Sequence, residues 1–358
     1  LYNAVETGLL GKYSREKIKA SFFHIGIKRI TDFHLISKVQ GRHKEQARCL
    51  LKEIAEPKDL LNLKLPAGFP AGFLYDEILK QQRRAFVDLQ DSKVMALTAQ
   101  AISNLESARE MLSKGRFDLV VLSHALGISY GAVACAAISL KIPVIVLYGD
   151  FGVSRFIRLE KIDDLSAYPS RPSSEETNRM RPESKKNLQE NGTEYLRLRI
   201  AGETDDVGSV FAYKTPKAQI DRDSIIETYG WDPAKPVIGV YNSNWFDYPH
   251  AHGLQEFTDF HDWIEQTLLI AKKNEKVNWL FKAHPCDDWY PPAKGESLKD
   301  MVETLNLPHV KIVRNGVNGG GLIKSLDGII TCHGTIGVEA AAMGKPVLIP
   351  YNGWYGEE

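Results

Sequence analysis

The chain has few cysteines, no excess of one charge and no long apolar run, and each absence excludes a class of protein. Its four cysteines are widely separated and form no CxxC pair, which argues against a zinc site or a disulfide scaffold and favours a reducing compartment. The 45 basic and 45 acidic side chains balance, so nothing in the charge favours nucleic acid as a partner. Without a signal peptide or an apolar run of about 18 residues, we expect a cytoplasmic protein.

The length and composition are those of a globular protein with two domains. The chain has 358 residues, of which 43% are hydrophobic and 25% are charged, enough to bury a substantial core. Pro233 and Pro236 lie in a polar run that predicts a boundary, which gives domains over 1–232 and 233–358. Because the first residue is not Met and the last strand is followed by only a few residues, we expect a longer protein, incomplete at the C-terminus of this sequence.

The first domain is predicted to begin with helices, because apolar residues recur there at every third or fourth position. One βαβ unit follows, with strands over 118–124 and 144–148 and a helix over 131–140. Residues 166–202 contain three prolines and many charges, which predict loop or a partly mobile helix. The predicted early helices cover 15–22, 41–56, 76–89 and 94–114.

The second domain alternates short apolar runs with helical patterns, which predicts a parallel sheet. In such sheets ligands bind at the carboxyl ends of the strands, and the polar residues discussed below all follow predicted strands. The predicted strands are 237–241, 278–283, 310–313, 328–331 and 347–350, and the predicted helices are 258–273, 295–305, 321–326 and 336–343.

A glycine-rich turn after the strand over 329–331 is the most informative motif. Its helix begins with unpaired backbone N–H groups beside a threonine hydroxyl, a geometry that attracts a phosphate or another anion. The residues expected to face a ligand are His333, Gly334, Thr335 and Gly337. Glu339 lies one turn further on, where it either accepts hydrogen bonds from a ribose or base or is an ordinary acidic residue of a first helical turn.

Lys282, His284 and Pro285 close another predicted strand. A cation and an imidazole at this edge could hold a nucleotide phosphate and stabilise the charge that builds up on a leaving group. The alternative is a structural histidine before a turn fixed by proline. We expect this pair to lie two strands from the Gly334–Thr335 turn, at the same edge of the sheet.

Residues 241–253, after the first strand of the second domain, combine a carboxylate, two histidines and several aromatic side chains. Such a segment suits chemistry on a sugar, with Asp247 as nucleophile or base and with Asn242 and Asn244 positioning hydroxyls. The alternative is a polar loop in which the aspartate caps a turn. His250 and His252 could be read with Asp247 as metal ligands, but their spacing is not a specific metal pattern.

Other acidic motifs are less informative. The Asp221-Arg-Asp223 run matches the D-x-D pattern of metal-dependent sugar transferases, but it follows no apolar strand, and Asp223-Ser224 is typical of a helix N-cap. Asp287 and Asp288 are expected in a solvated turn. In the first domain, the candidates for binding an acceptor are Asp150, His124 and Arg155. The alternative is that they are ordinary turn residues.

Four motifs in the same order resemble bacterial GT-B glycosyltransferases of capsule and lipopolysaccharide biosynthesis, above all the retaining β-Kdo transferases, which use a CMP-activated keto-acid sugar. They are the Asp247 segment, Lys282-Ala-His284-Pro285, Gly334-Thr-Ile-Gly-Val-Glu339-Ala with Gly344-Lys-Pro-Val347, and Tyr351-Asn-Gly-Trp354-Tyr-Gly. The resemblance covers about 233–358. It implies two Rossmann-like domains facing across a cleft, with His284 and Thr335 on the CMP phosphate and Asp247 at the position of the aspartate proposed to form a covalent sugar adduct.

The chain also departs from that family. Asn244-Trp-Phe precedes Asp247, where the family more often has an acidic run, and the hydroxyl residue of the glycine turn is Thr335 rather than serine. UDP-, GDP- and CDP-linked donors therefore stay open beside CMP-Kdo. The motifs resemble, more loosely, sugar 2-epimerases and the polyol-phosphate transferases that use CDP-glycerol.

Residues and resemblance together predict a metal-independent glycosyltransferase that needs no cofactor besides its nucleotide-sugar donor. The expected acceptor is a surface polysaccharide or lipopolysaccharide, free or lipid-linked, with peripheral association at the inner membrane left open. Two alternatives are kept: an enzyme like the UDP-sugar 2-epimerases and hydrolases, and a non-catalytic glycan-binding module of a polymer-assembly protein.

Overall fold

The structure is a computed structural model that describes residues 37–148, 155–165, 174–204, 213, 220–313, 316–332 and 334–350. The chain divides into two compact units, residues 1–38 and residues 39–358. All elements described below belong to the second unit. The predicted domain boundary between residues 232 and 233 falls inside that unit and stays a prediction.

Three helices open the second unit, and the predicted helix over 76–89 is the one whose bounds change most. It begins five residues earlier and ends at Gln82, because Arg83 adopts a left-handed conformation (φ 55°) that ends the helix. Its apolar side chains, Phe73 and Ile78 among them, are fully buried. The predicted helix over 15–22 lies outside the described residues. The helices are α1 (Gly41–Leu51), α2 (Ala71–Gln82) and α3 (Lys93–Lys114), with short 3-10 segments at Pro57–Asn62 and Pro66–Gly68.

The predicted βαβ unit is confirmed, and a third strand joins it. Strand β1 (Val120–Leu122), helix α4 (Gly127–Ser139) and strand β2 (Val144–Tyr148) form the unit, with the two strands parallel. Strand β3 (Arg155–Leu159), which was not predicted, pairs antiparallel with β2. Its sequence does alternate, since Ile157 and Leu159 are buried while Phe156 and Arg158 are exposed.

Much of the region predicted as loop or partly mobile helix is in fact a long regular helix. Helix α5 (Ser174–Arg179) is short, but α6 (Pro182–Ile200) has 19 residues. Pro182 is its first residue, where the missing N–H costs no hydrogen bond, so this proline starts the helix rather than breaking it. No helix in the described ranges is long and apolar enough to cross a membrane.

The second half of the unit contains the predicted parallel sheet. Its five strands have the order β6-β5-β4-β7-β8 and all pair in parallel. The fold is thus a mixed α/β architecture with parallel strands, consistent with a Rossmann-like fold. The strands are β4 (Val237–Tyr241), β5 (Asn278–Lys282), β6 (Val310–Ile312), β7 (Gly328–Thr331) and β8 (Val347–Leu348), and the helices are α7 (Arg222–Tyr229), α8 (Phe260–Lys273), α9 (Leu298–Leu305), α10 (Gly319–Ser325) and α11 (Ile336–Ala342).

The apolar core that holds this sheet forms between the central strands and the helices that cover them. Val237 on β4, Leu280 on β5 and Ile329 on β7 pack with Leu322 and Ile323 of α10. All five side chains are at most 2% exposed. Because the central strands are buried on both faces, they read as continuous apolar runs in the sequence, which is why their bounds could be predicted closely.

This core makes a matched stability test possible. Leu280→Ala should lower the free energy of unfolding by about 2–5 kcal/mol, since it removes a buried side chain and leaves a cavity. Leu269→Ala makes the same chemical change at a side chain of α8 that is 48% exposed, and it should change stability by less than about 1 kcal/mol. Urea denaturation followed by circular dichroism measures both. Equal losses in the two variants would contradict the assigned burial of β5.

Candidate functional site

Three adjacent strands of the parallel sheet end side by side and bring the predicted motifs to one edge. Tyr241, the last residue of β4, pairs with Lys282 of β5 on one side and with Thr331 of β7 on the other. The segment carrying Asp247 therefore leaves the sheet between the Lys282–Pro285 motif and the glycine turn. The predicted order, with these two motifs two strands apart, is confirmed.

Buried polar atoms without a hydrogen-bond partner are concentrated at this edge. Among the described residues, eight buried side-chain atoms lack a partner, and all but Ser103 Oγ belong to Tyr241, to the loop that follows β4 or to the turn that follows β5. Buried polar groups are nearly always paired, and each unpaired one costs about 1–3 kcal/mol. Such a concentration indicates a place where a polar ligand or ordered water would complete the hydrogen bonds. The other seven atoms are Tyr241 Oη, Asn242 Nδ2 and Oδ1, Ser243 Oγ, Trp245 Nε1, His250 Nε2 and Asp287 Oδ1.

His284 is positioned as a neutral hydrogen-bond donor. Its Nδ1 accepts a hydrogen bond from the Cys286 amide at 3.2 Å and caps a 3-10 turn, Pro285–Asp288. Nδ1 therefore carries no proton, and Nε2 carries it. Burial and then the nearby Lys282 charge lower the pKa of His284 to about 4, although Asp247 opposes this. At neutral pH the imidazole supplies an N–H, and Lys282 supplies the positive charge.

Asp247 is exposed at the end of a tight turn that follows β4. Asn244 builds that turn, because its Oδ1 accepts a hydrogen bond from the Phe246 amide at 3.2 Å and its carbonyl accepts one from the Asp247 amide at 3.3 Å. Tyr248, the next residue, has a left-handed backbone (φ 50°), a conformation that costs free energy for a residue other than glycine. The role of Asn244 in positioning sugar hydroxyls stays a prediction. Its Oδ1 already accepts the hydrogen bond from the Phe246 amide.

The charge of Asp247 acts on several titratable side chains, which places them near it. Burial lowers the pKa of His252, and Asp247 and then Asp76 oppose that shift. Burial also raises the pKa of the Cys286 thiol, and Asp247 raises it further. The exposed carboxylate thus faces imidazole and thiol groups that are neutral at pH 7.

Asp287 and Asp288 were expected in a solvated turn, which is correct for the exposed Asp288 but wrong for Asp287. Asp287 is half-buried, and burial raises the pKa of its carboxyl to about 7, while the nearby Trp245 indole lowers it and the charge of Asp288 raises it. Trp245 itself is fully buried. The available sequence signal was the position of Asp287 just after Pro285 and Cys286, in the turn that follows β5.

The glycine turn leads directly into α11. The Gly334 amide donates to Thr331 Oγ1 at 3.4 Å, and a Cβ at Gly334 would come within 3.2 Å of the same oxygen, so the turn fits glycine closely. Thr335 is exposed, and its hydroxyl makes no capping hydrogen bond, whereas Gly337 is buried. Two of the predicted site residues, His333 and Asp150, lie outside the described residues.

Glu339 is held in a buried ion pair. Arg199 Nε of α6 donates to Glu339 Oε1 at 2.6 Å, and the Tyr213 hydroxyl donates to Oε2. All three side chains are at most 8% exposed, so the pair is shielded from solvent. A role for Glu339 toward a ribose or base stays a prediction, since both of its oxygens already have a protein donor. Arg199 lies in the region where no regular helix was predicted, so sequence reasoning missed it.

A second carboxylate missed by sequence reasoning holds the loop after Asp247. Asp76 of α2 is fully buried and accepts hydrogen bonds from His250 Nδ1 at 2.6 Å and from the Ala251 amide at 2.9 Å. The predicted helix began at Asp76, which gave no reason to consider this side chain. An acidic residue inside an apolar helical run was the signal that could have found it.

The D-x-D run Asp221-Arg-Asp223 caps a helix. Asp221 Oδ1 accepts a hydrogen bond from the Ser224 amide at 2.9 Å and is the N-cap of α7. The capping interpretation of the D-x-D run is therefore correct, but the capping residue is Asp221 and not Asp223. Within the described part of the chain, no group of three or more His, Cys, Asp or Glu side chains could hold a metal ion.

Comparisons with known proteins find similarity among solved structures. No protein-family model and no curated protein matches the chain. A solved structure of Thermosulfurimonas dismutans KpsC, described as a beta Kdo 2,4 transferase, is similar at 14% sequence identity and a TM-score of 0.37. The similarity covers 62% of this chain and 65% of that protein, so the chain spans less than two thirds of its length.

The state of His284 predicts a pH dependence of stability. Its pKa is about 4 in the fold, against 6.5 for the unpaired side chain, so between these values the unfolded chain binds more protons. Above pH 6.5 His284 is neutral in both states and does not lower the free energy of unfolding. As the pH falls from 6.5 towards 4, protonation of His284 in the unfolded chain lowers the free energy of unfolding by on the order of 3 kcal/mol at most. His284→Asn keeps a capping acceptor for Cys286 and should reduce the loss measured by urea denaturation between pH 7 and pH 4.5. His124→Asn, at an exposed position, is the control and should leave the loss unchanged.

Proposed function

We propose that the chain is a metal-independent glycosyltransferase of the GT-B type, which moves a sugar from a nucleotide donor to a glycan acceptor. The observation that supports this most directly is the concentration of buried, unpartnered polar atoms on the segments that follow β4 and β5. Sites for polar ligands in open parallel sheets lie at this edge. In this proposal residues 233–358 hold the nucleotide sugar, and residues 1–232 present the acceptor across a cleft.

The leaving phosphate would be held by two neighbouring motifs. His284 offers an N–H from Nε2, and Lys282 offers a positive charge beside it. The backbone and hydroxyl of the Gly334–Thr335 turn, two strands away, would complete the contacts. Hydrogen-bond donors that are already in place stabilise charge on a departing oxygen without needing to reorganise. This set would take the role that a divalent cation has in D-x-D enzymes.

The sugar would lie over the end of β4. Asn242 and Ser243 are 5% exposed and have unpartnered side-chain atoms among the described residues, so they are suited to hydroxyl groups. Asp247 would act at the anomeric carbon. As a nucleophile it would give a product with retained configuration, and as a base that activates the acceptor it would give an inverted one. Asp150 would contact the acceptor from the first half of the chain.

The donor that we favour is a CMP-linked keto-acid sugar such as CMP-Kdo. The support is the order of motifs shared with the β-Kdo transferases, and UDP-, GDP- and CDP-linked sugars are the other candidates. A keto-acid sugar carries its own carboxylate, so a cation such as Lys282 would serve the sugar as well as the phosphate. The acceptor would be a glycan of the cell surface, built on a lipid carrier at the cytoplasmic face of the membrane.

A nucleotide screen tests the binding half of this proposal. Thermal unfolding should shift upward with one of CMP, CDP, UDP and GDP, because a ligand at 100 times its Kd stabilises the fold by about 2.7 kcal/mol. We expect the largest shift with CMP, and a smaller shift in His284→Ala and Lys282→Ala than in the wild type. Binding of a glycan without any response to the four nucleotides would contradict the proposal and favour a non-catalytic glycan-binding module.

Asp247→Asn tests the chemistry. Transfer from the donor identified by the screen should fall below detection, while the nucleotide-induced thermal shift stays at the wild-type value, because the phosphate contacts lie on other loops. Asp223→Asn makes the same change at an exposed position of α7 and should keep wild-type turnover, with or without EDTA. Unchanged turnover in Asp247→Asn would remove this residue from the mechanism, and release of UDP from UDP-N-acetylglucosamine alone would favour an epimerase or hydrolase.

A further inference from the structure

Two histidines of the candidate site are held in opposite tautomers. His284 accepts a hydrogen bond at Nδ1, so its proton is on Nε2. His250 Nδ1 lies 2.6 Å from an oxygen of Asp76, which as a carboxylate can only accept, so this histidine carries its proton on Nδ1. The first ring therefore presents an N–H, and the second, as a neutral imidazole, has its lone pair at Nε2. The two rings are suited to opposite kinds of ligand group.

The Asp76 carboxylate is built to hold His250 in this state. It is fully buried on α2 and accepts N–H groups from the His250 ring, the His250 backbone and the Ala251 backbone. The two residues are 174 positions apart in the chain, so the contact depends on the packing of α2 against the loop. A buried carboxylate on Nδ1 fixes the orientation of an imidazole and stabilises the imidazolium form when Nε2 takes a proton.

The other nitrogen of His250 lacks a donor. Nε2 is buried and has no hydrogen-bond partner among the described residues, and the side chain as a whole is 9% exposed. The ring is also held by an edge contact with Tyr75, whose centroid lies 5.0 Å away. A buried acceptor nitrogen of this kind lacks a hydrogen bond until an O–H or N–H group donates one to it. His250 follows Asp247 by three residues on the same loop.

We propose that His250 is the general base that takes the proton of the acceptor hydroxyl, with Asp76 as its positioning residue. The proposal rests on the glycosyl transfer proposed above. The O–H bond of the acceptor breaks and its proton goes to Nε2, while the acceptor oxygen forms a bond to the anomeric carbon. The bond from that carbon to its leaving oxygen breaks, and the electron pair stays on that oxygen. Asp76 balances the positive charge that forms on the ring.

This assignment separates the roles of the polar groups at the site. His284 and Lys282 act on the leaving phosphate, because they offer a proton donor and a charge. His250 acts on the acceptor hydroxyl, because it offers a lone pair. Asp247 does not need to serve as the base and is left to act at the anomeric carbon. His250 lies on the part of the loop that packs against α2. Helix α2 belongs to residues 1–232, which we propose present the acceptor.

Three variants test the proposal against a purely structural role for the contact. His250→Gln and Asp76→Asn should each lower kcat for sugar transfer by about 10²- to 10⁴-fold, the range for loss of a general base, and should leave the nucleotide-induced thermal shift at the wild-type value. Tyr75→Phe is the matched control. It removes the buried hydrogen bond of 2.6 Å from the Tyr75 hydroxyl to Asp259 but keeps the aromatic ring that contacts His250. It therefore perturbs the packing of α2 while leaving both hydrogen bonding and ring contact at His250 in place, and its kcat should stay within about threefold of the wild type.

A spectroscopic measurement tests the tautomer without any substrate. Long-range ¹H–¹⁵N NMR of the wild type at pH 7.5 should show His250 protonated on Nδ1 and His284 protonated on Nε2, and Asp76→Asn should change the His250 signature only. A His250 signature with the proton on Nε2, or a His250→Gln kcat close to that of Tyr75→Phe, would overturn the proposal. Failure of the glycosyl-transfer proposal is distinguishable, because the wild type would then show no turnover with any donor while the tautomers are still read by NMR.

Discussion

Parallel pairing of β4 with β5 and β7 is the constraint on which the candidate site depends. Parallel strands all end at one edge, so the residues that follow them meet there even though they are far apart in the chain. Tyr241 pairs with Lys282 on one side and Thr331 on the other, and this register sets the spacing of the three loops. The apolar core fixes the register, because a slip of one residue would move each buried side chain to the opposite face of its strand and break its packing against the covering helices.

Two buried pairs of charged or polar side chains connect the segments of the site to helices outside the parallel sheet. Asp76 of α2 holds the segment after Asp247, and Arg199 of α6 holds Glu339 beside the glycine turn. A buried charge is costly unless it is paired and hydrogen-bonded, so each pair admits only one arrangement of the two segments that it joins. The helices of the first half of the chain are in this way part of the site, although no predicted site residue lies on them.

The environment of each side chain decides the chemistry that it can perform. His250 and His284 are the same residue type in neighbouring loops, yet one pairs with a carboxylate and the other accepts a backbone amide beside a lysine. Burial raises the pKa of Asp287 to about 7, while Asp247 stays exposed. The same few residue types thus give a proton donor, a proton acceptor and a free carboxylate at one edge.

The sequence by itself determined the parallel sheet and the motifs at its edge. The apolar runs at Val237–Tyr241 and Gly328–Thr331 matched the strands at both ends, because buried central strands are continuous and are bounded by glycine, proline and polar residues. The positions of Lys282, His284 and Thr335 at strand ends followed from that pattern. Local patterns of this kind report what each segment buries, and they need no knowledge of distant segments.

Only the tertiary structure decided which remote side chains meet. The Asp76–His250 and Arg199–Glu339 contacts join residues 174 and 140 positions apart, and no local pattern contains that information. It also decided that β3 pairs with β2, since a strand needs a neighbouring strand for its backbone hydrogen bonds. Protonation states and unpaired polar atoms follow from burial, which exists only once the whole chain has packed.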